Sequence, residues 1–282
     1  MRVEQLWHDA LRTGERALSH GALVPLATEV VPLPAIHPFQ LRRLVSRTPK
    51  HLRAGGPKPN PFLPWDPVLE VARPRTGHVV LLNKFPVQPG HVLLITDHWA
   101  PQGGWLNAAD WAAVAAVASD TGGLWFFNSC GAAGASQPHR HLQLLPRHAD
   151  EPSCPLAQQF LELLDPATAS GSPVSLPWAH RLSRRDDPSG HADLPALYRR
   201  HLAELGLGDP EQAGQPRHPY NLLFDDHWFL TVRRTREHAA GFSVNALGFA
   251  GYLLQTEHSD LAWLQRHGAM ALLQAVAAAP LA

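Results

Sequence analysis

Two histidines and a glutamine, His139, His141 and Gln143, recur at every second position of the run His139-Arg140-His141-Leu142-Gln143-Leu144-Leu145. The run alternates like a β-strand. Successive strand side chains point to opposite faces, so the three share one face at intervals of roughly 6.5–7 Å. Immediately upstream lies Asn128-Ser129-Cys130-Gly131-Ala132-Ala133-Gly134-Ala135-Ser136-Gln137-Pro138, a loop of small and polar residues. A neutral imidazole, with an ordinary pKa of ~6.5, is a good nucleophile toward phosphorus, and the phosphoramidate it forms is labile enough to be a relay intermediate. Small side chains at Gly131, Gly134, Ala135 and Ser136 let backbone N–H groups and a hydroxyl approach phosphate oxygens. Strand and loop together point to an active site for an anionic substrate.

Two other readings of the same residues compete. His-x-His on a strand is also a zinc or iron half-site, but it needs a third ligand, and Gln143 is a poor one. With 18 histidines in the chain, another imidazole could supply it. Alternatively, the two histidines are simply hydrogen-bonded members of a half-buried face.

Composition narrows the classes. A chain of 282 residues with 45% apolar content builds an ordinary core, as one large domain or two small ones. Lys+Arg and Asp+Glu both total 24, so there is no global basic field of the kind nucleic-acid binders carry, and any anion must be gripped locally. Lysine occurs only at positions 50, 58 and 84. Cys130 and Cys154 form no C-x-x-C pair, which suggests neither a thiolate zinc site nor a disulfide framework, and a reduced setting is expected. The charged, amphipathic N-terminus does not resemble a signal peptide, and no apolar run approaches the ~20 residues of a membrane span. A cytoplasmic protein without membrane or nucleic-acid partners is the expectation.

The elements that must position the motif follow from periodicity. Residues 3–19 read as a helix stopped at Gly21, residues 22–35 hold a short strand, and Phe39–Ser46 another. Residues 48–61 read as a basic loop. Strands are expected at Val68–Ala72, His78–Phe85 and Gly90–Thr96, the last two antiparallel around Pro86-Val87-Gln88-Pro89. Asn107 caps a helix to Asp120, and Leu124–Phe127 is the strand that enters the central loop. Residues 147–192 look like a connector with one short helix near Leu156–Leu164. Leu194–Leu205 reads as a helix, His218–Arg234 as a hairpin around Asp225-Asp226-His227, and Asp260–Ala278 as a closing helix. Consecutive antiparallel strands with a helix packed on one side predict an α+β layer.

Gly134-Ala135-Ser136-Gln137-Pro138-His139-Arg140-His141-Leu142-Gln143 resembles the signature of diadenosine tetraphosphate phosphorylases, also called ATP adenylyltransferases, a branch of the histidine triad superfamily. In that branch glutamine replaces the third histidine, as Gln143 does here. Asn60–Trp65, Leu81–Phe85, His91–Thr96, Tyr220–Leu223 and Ser243–Gly251 are similar to further segments of the family in the same order. The likeness spans roughly residues 40 to 278.

The resemblance implies an antiparallel sheet with flanking helices in the histidine-triad-like, galactose-1-phosphate uridylyltransferase-like fold. It implies one catalytic domain over 1–282, with the histidine motif core in 40–150 and a family-specific portion in 215–282 packed on it. The implied reaction is adenylyl transfer in two steps. His141 attacks the α-phosphorus of diadenosine tetraphosphate and ATP leaves; inorganic phosphate then takes AMP from His141 as ADP, and the reverse reaction makes the dinucleotide. His139 orients the site and Gln143 hydrogen-bonds a phosphoryl oxygen. Substrate contacts are implied for Lys50, Asn83, Lys84, Asn128, Gly134, Ala135, Ser136, Gln137, Asn221 and Arg233, with Lys58 an equal candidate to Lys50. No tightly bound cofactor is expected, Mg2+ arriving with the polyphosphate, and a monomer is the simpler state. A uridylyltransferase-type enzyme shares His-x-His-x-Gln, but Arg140 and Leu142 stand where that relative has Pro and Gly. A catalytically silent nucleotide-binding module is the alternative outside enzymes.

Overall fold

The computed structural model describes residues 2–45, 60–165, 176–187 and 191–281. The chain opens with helix α1 (Gln5–Ser19) and strands β1 (Thr28–Val31) and β2 (Gln40–Leu44). The segment that carries the motif follows as β3 (Glu70–Ala72), β4 (His78–Leu82), β5 (Val92–Thr96), α2 (Ala108–Ala118), β6 (Gly123–Asn128) and β7 (His141–Pro146). Beyond it lie α3 (Ala157–Leu164), β8 (His180–Arg184), α4 (Leu194–Glu204), β9 (Tyr220–Phe224) and β10 (Trp228–Arg233). The chain ends with β11 (His238–Ala239), β12 (Phe242–Ser243), α5 (Ala246–Phe249), β13 (Tyr252–Gln255) and α6 (Leu261–Val276).

Among the described residues the main sheet has eight strands in the order β3-β4-β5-β7-β6-β9-β10-β8. Every neighbouring pair is antiparallel. The β6–β9 ladder, from Trp125↔Phe224 to Asn128↔Asn221, joins the strands of the first half of the chain to those of the second. A smaller sheet, β1-β2-β13, pairs β2 with β13 in parallel, which no local pattern announces.

Helices cover both faces of the main sheet, where a helix on one side was expected. Strand alternation sends Leu142, Leu144, Leu94, Trp125, Phe127 and Leu222 to a core shared with Trp111 of α2 and Leu202 of α4. On the other face Phe126, Leu145, Leu223 and Leu230 pack with Phe160 of α3, Phe249 of α5 and Leu272 of α6. His141 and Gln143 point to this second face, opposite Ile95 and Leu93, which pack with Phe62, Val79 and Leu81.

Several boundaries differ from the sequence expectation; β3, expected from Val68, starts at Glu70 because Asp66 caps a 3-10 turn over Pro67–Leu69. The motif strand begins at His141; His139 makes only an isolated bridge to Pro101. Strand β8 lies inside the expected connector, because His180-Arg181-Leu182-Ser183-Arg184 has one apolar residue and gains strand character only by pairing along the sheet edge with β10. The closing helix breaks at Gly268, whose φ of 81° and ψ of 167° are not helical. Elsewhere the local rules suffice. Asn107 caps α2 in a reciprocal box with Asp110, each side chain bonding the other's backbone N–H.

Candidate active site

His141 is 3% exposed, and its Nδ1 lies 2.8 Å from the backbone carbonyl of His139. A carbonyl only accepts, so Nδ1 carries the proton and Nε2 keeps a bare lone pair. Burial pushes the imidazole pKa down to about 4, against the opposing effect of that hydrogen bond, so the ring is neutral at pH 7. The backbone of His141 is held from both sides. On one side β5 pairs Ile95 with His141. On the other, the β6–β7 ladder has ended at Phe126↔Gln143. Gln102 fills the gap: its Oε1 accepts the His141 N–H at 2.8 Å, and its Nε2 donates to the carbonyls of Asn128 at 2.7 Å and His141 at 3.2 Å.

His139 is placed differently. Its Nε2 donates to the Thr96 carbonyl at 2.8 Å, with the Thr96 hydroxyl at 2.9 Å, and Nδ1 accepts from Asn60 Nδ2 at 3.0 Å. Asn60 cannot turn its amide over without loss, because Oδ1 already accepts the Phe62 N–H at 3.0 Å. Both ring nitrogens of His139 are therefore committed, leaving no lone pair for a metal or a phosphorus atom. Burial lowers its pKa, and the nearby charges of His98 and Arg140 add to the effect. Phe62 packs against both imidazoles, with ring centroids 5.6 Å from each.

Arg140, between them, points through the sheet to the opposite face. It donates to Asp110 at 2.8 Å, and Asp110 accepts from His78 at 3.0 Å, which anchors the motif to the first turn of α2. Burial alone would raise the Asp110 pKa; the hydrogen bond from His78 and the charge of Arg140 outweigh it and hold the carboxylate below its ordinary range. Gly104 makes room for Arg140, since a Cβ there would lie 2.5 Å from Nη2.

Gln143 is half-buried, and its Oε1 lies 3.0 Å from His91 Nε2. His91 Nδ1 in turn lies 3.3 Å from Asn83 Nδ2, and Asn83 Oδ1 accepts the Phe85 N–H at 3.1 Å. Burial pushes the His91 pKa down to about 4, with the hydrogen bond to Gln143 opposing. Asn83, expected at the substrate, thus spends its amide on His91. Lys84 beside it is exposed and makes no side-chain hydrogen bond or ion pair with the described residues. Lys50 and Lys58 lie outside the described residues.

The loop between β6 and β7 folds on itself more than expected. Gly134 N–H donates to Gly131 and Ala135 N–H to Cys130, so neither is free for an anion, and the cradle narrows to Ser136 and Gln137, whose N–H groups have no backbone acceptor among the described residues. Ser136 is exposed, while Gln137 Oε1 is buried without a partner among the described residues. Gly134 has a φ of 86°, and a Cβ there would lie 2.6 Å from the Cβ of Asn245, which caps α5.

Asn128 and Asn221 prove to be the frame of this loop. Asn128 Oδ1 accepts from Asn221 Nδ2 and from Ala246 N, both at 2.8 Å, and Asn221 Nδ2 also donates to Ala133 O at 2.8 Å. Arg234, 1% exposed and unforeseen from the sequence, donates to Asn221 Oδ1 and to the carbonyls of Val276, Arg236 and Val244. Burial draws its pKa to about 10, so it stays charged. Arg233 does not reach the site. It shares a strand face with Thr231, which meets His201 of α4, and its guanidinium bonds His218 at 2.8 Å on the face away from His141.

Gln102, Thr96, His91 and Arg234 were invisible as site residues. Gln102 sits in a loop far from the motif in sequence, and nothing in a local pattern shows which backbone an amide will clasp. Among the described residues no group of three or more His, Cys, Asp or Glu side chains is arranged to hold a metal ion. No helix among them is long and apolar enough to cross a membrane.

Known proteins resemble this chain in sequence and in fold. The chain is 27% identical over 202 residues to Protein APA1 of Saccharomyces cerevisiae, covering 63% of this chain and 61% of that relative, or about three fifths of its length. It is 25% identical over 230 residues to diadenosine 5',5'''-P1,P4-tetraphosphate phosphorylase 2 of the same yeast, covering 72% of this chain and 70% of that one. The fold matches the crystal structure of yeast Ap4A phosphorylase Apa2 in complex with Ap4A, with a TM-score of 0.75 at 22% identity over the whole of both chains. The complex of Apa2 with AMP matches at 0.74 and 22%, covering 100% of this chain and 99% of that one. Residues 1–162 match the Ap4A phosphorylase N-terminal domain and residues 174–279 the ATP adenylyltransferase C-terminal domain. The chain belongs to the Ap4A phosphorylase family of adenylyltransferases.

Proposed function

We propose that this protein cleaves diadenosine tetraphosphate by phosphorolysis, giving ATP and ADP through an adenylyl group carried on His141. The observation that carries the proposal is the bare Nε2 of a buried, neutral His141 whose proton is pinned at Nδ1 by the His139 carbonyl. Nε2 attacks the α-phosphorus of one adenylate, and the bond to the bridging oxygen of the β-phosphate breaks, so ATP leaves. As the ring takes on positive charge, the His139 carbonyl accepts a stronger hydrogen bond from Nδ1–H. Inorganic phosphate then attacks the phosphoramidate, the P–N bond breaks, ADP departs and His141 regains its lone pair. Run backwards, ADP is cleaved to adenylyl-His141 and phosphate, and ATP collects the adenylyl group to give the dinucleotide.

His139, tied at both ring nitrogens, orients His141 through its backbone and supports Phe62 beside it. Ser136 and Gln137 contribute the free N–H groups of the loop to phosphate oxygens, and exposed Lys84 supplies a nearby positive charge. Mg2+ enters as the companion of the polyphosphate, with no protein carboxylates assigned to it. The protein acts as a cytoplasmic monomer on small-molecule nucleotides and phosphate. The test is to incubate the protein with diadenosine tetraphosphate, with and without phosphate, and to examine intact mass and nucleotide products. An adenylyl adduct on His141 without phosphate, and ADP plus ATP with it, are expected. Absence of the adduct, or normal turnover by His141→Ala, overturns the proposal.

A further inference from the structure

We infer that His91 is a positioning residue that sets the polarity of Gln143, so that this glutamine meets the transferring phosphoryl group with its N–H donors and not with its carbonyl oxygen. The inference rests on the adenylyl transfer proposed above. A glutamine side chain is nearly symmetric in shape, and its two ends do opposite things: Oε1 accepts, Nε2 donates. Which end faces the reaction must be decided by something that cannot itself turn over.

That element is a backbone group. The N–H of Phe85 can only donate, and Asn83 Oδ1 accepts it at 3.1 Å. Asn83 therefore presents Nδ2 to His91 Nδ1, 3.3 Å away, and that nitrogen must be the bare one. The proton of His91 is then on Nε2, which donates to Gln143 Oε1 at 3.0 Å. Gln143 is left with Nε2 as its free end, on the sheet face it shares with His141. Turning the Gln143 amide over would set donor against donor at His91. Correcting that by moving the His91 proton to Nδ1 would set donor against donor at Asn83, and Asn83 cannot turn without abandoning the Phe85 N–H. His91 is 2% exposed, and its ring packs 6.0 Å from that of Phe126, so water offers no easy substitute for any link.

The chemical consequence follows from the orientation. Gln143 Nε2 is left free to donate to the non-bridging oxygens on which charge gathers during transfer, while Oε1 is turned to His91. The site thereby gains an oxyanion donor, which favours the transfer step, and an amide, unlike an imidazole, supplies no base to draw a proton from water.

A double-mutant cycle tests this. Gln143→Ala removes the donor and should lower kcat about 100-fold, in the range seen for single oxyanion donors. His91→Phe keeps the ring packing, removes the orienting bond, and should lower kcat by about 10-fold or more with KM little changed. In the Gln143→Ala background His91→Phe should change kcat by less than about 2-fold; with Gln143 intact, His91→Gln, whose amide can donate from nearly the same place, should retain most of the wild-type rate. Losses that multiply in the double variant, or His91→Gln no better than His91→Phe, overturn the inference while leaving the functional reading intact. An inactive wild-type protein overturns that reading instead. Should His91→Phe not fold, Asn83→Leu frees the His91 proton and must show the same dependence on Gln143. Independently of turnover, 15N shifts of the His91 ring should report a proton on Nε2; a proton on Nδ1 overturns the inference.

Discussion

The carbonyl oxygen of His139 lies 2.8 Å from Nδ1 of His141. The first histidine of the pair thus directs the second through its backbone, while its own ring is tied to Thr96 and Asn60 and faces no substrate atom with a free nitrogen. Two histidines that are equivalent by alternation differ in the fold: one keeps a bare ring nitrogen and the other has both committed.

Burial sets the pH response of this pair. With the folded pKa of His141 and of His91 down to about 4 and an unfolded value of ~6.5, the unfolded chain binds more protons between those limits, and stability must rise with pH there. The contribution is fully present above pH ~6.5 and is lost as pH falls toward about 4, on the order of 3 kcal/mol for each buried ring. Urea unfolding at pH 7.5 and pH 5 should show the loss. Over the same range kcat/KM should carry no acid limb near pH 6.5, since neutral His141 persists in the folded enzyme; such a limb, absent in control titrations of the substrate, would contradict the burial argument.

Gln102 should behave as the clamp of the nucleophile. Gln102→Met keeps the bulk and removes the three bonds to the backbone of His141 and Asn128. A loss in kcat of about 100-fold, of the size a misplaced reacting group causes, is expected with the fold retained by circular dichroism. Retention of wild-type kcat would show that β5 alone positions His141.

Gly134→Ala places a methyl group 2.6 Å from the Cβ of Asn245 at a φ of 86°. Strain of about 1–3 kcal/mol is expected, together with displacement of Ser136 and Gln137. Activity should fall mainly through a raised KM for phosphate and dinucleotide. An unchanged KM with lowered thermal stability would assign the glycine to packing alone.

The sequence on its own carried much of this. Alternation put His141 and Gln143 on one face, Asn107 announced its capping box, and the two β-rich runs around Asp225-Asp226-His227 became β9 and β10. Signals of that kind are local: they depend on residues a few positions apart, and the chain obeys them wherever tertiary packing does not object. Strand β8 escaped because an edge strand with one apolar residue is defined by its neighbour β10. Arg233 and Arg234 exchanged expected prominence for a similar reason. One position of register decides which sheet face a residue takes, and only the ladder from Val232↔Asn221 to Arg233↔Tyr220 settles it.

What the sequence by itself determined is the chemical inventory and its local order: a glycine-rich loop, two imidazoles and an amide on one strand, and the segments that belong with them. Which imidazole keeps a bare nitrogen, and which end of Gln143 is left free, only the tertiary structure decided. Tautomer and amide polarity are properties of hydrogen-bond partners, and those partners, Gln102, Thr96, Asn83 and His91, arrive from other parts of the chain. A side chain names the donors and acceptors it has; its folded neighbours choose which are left free.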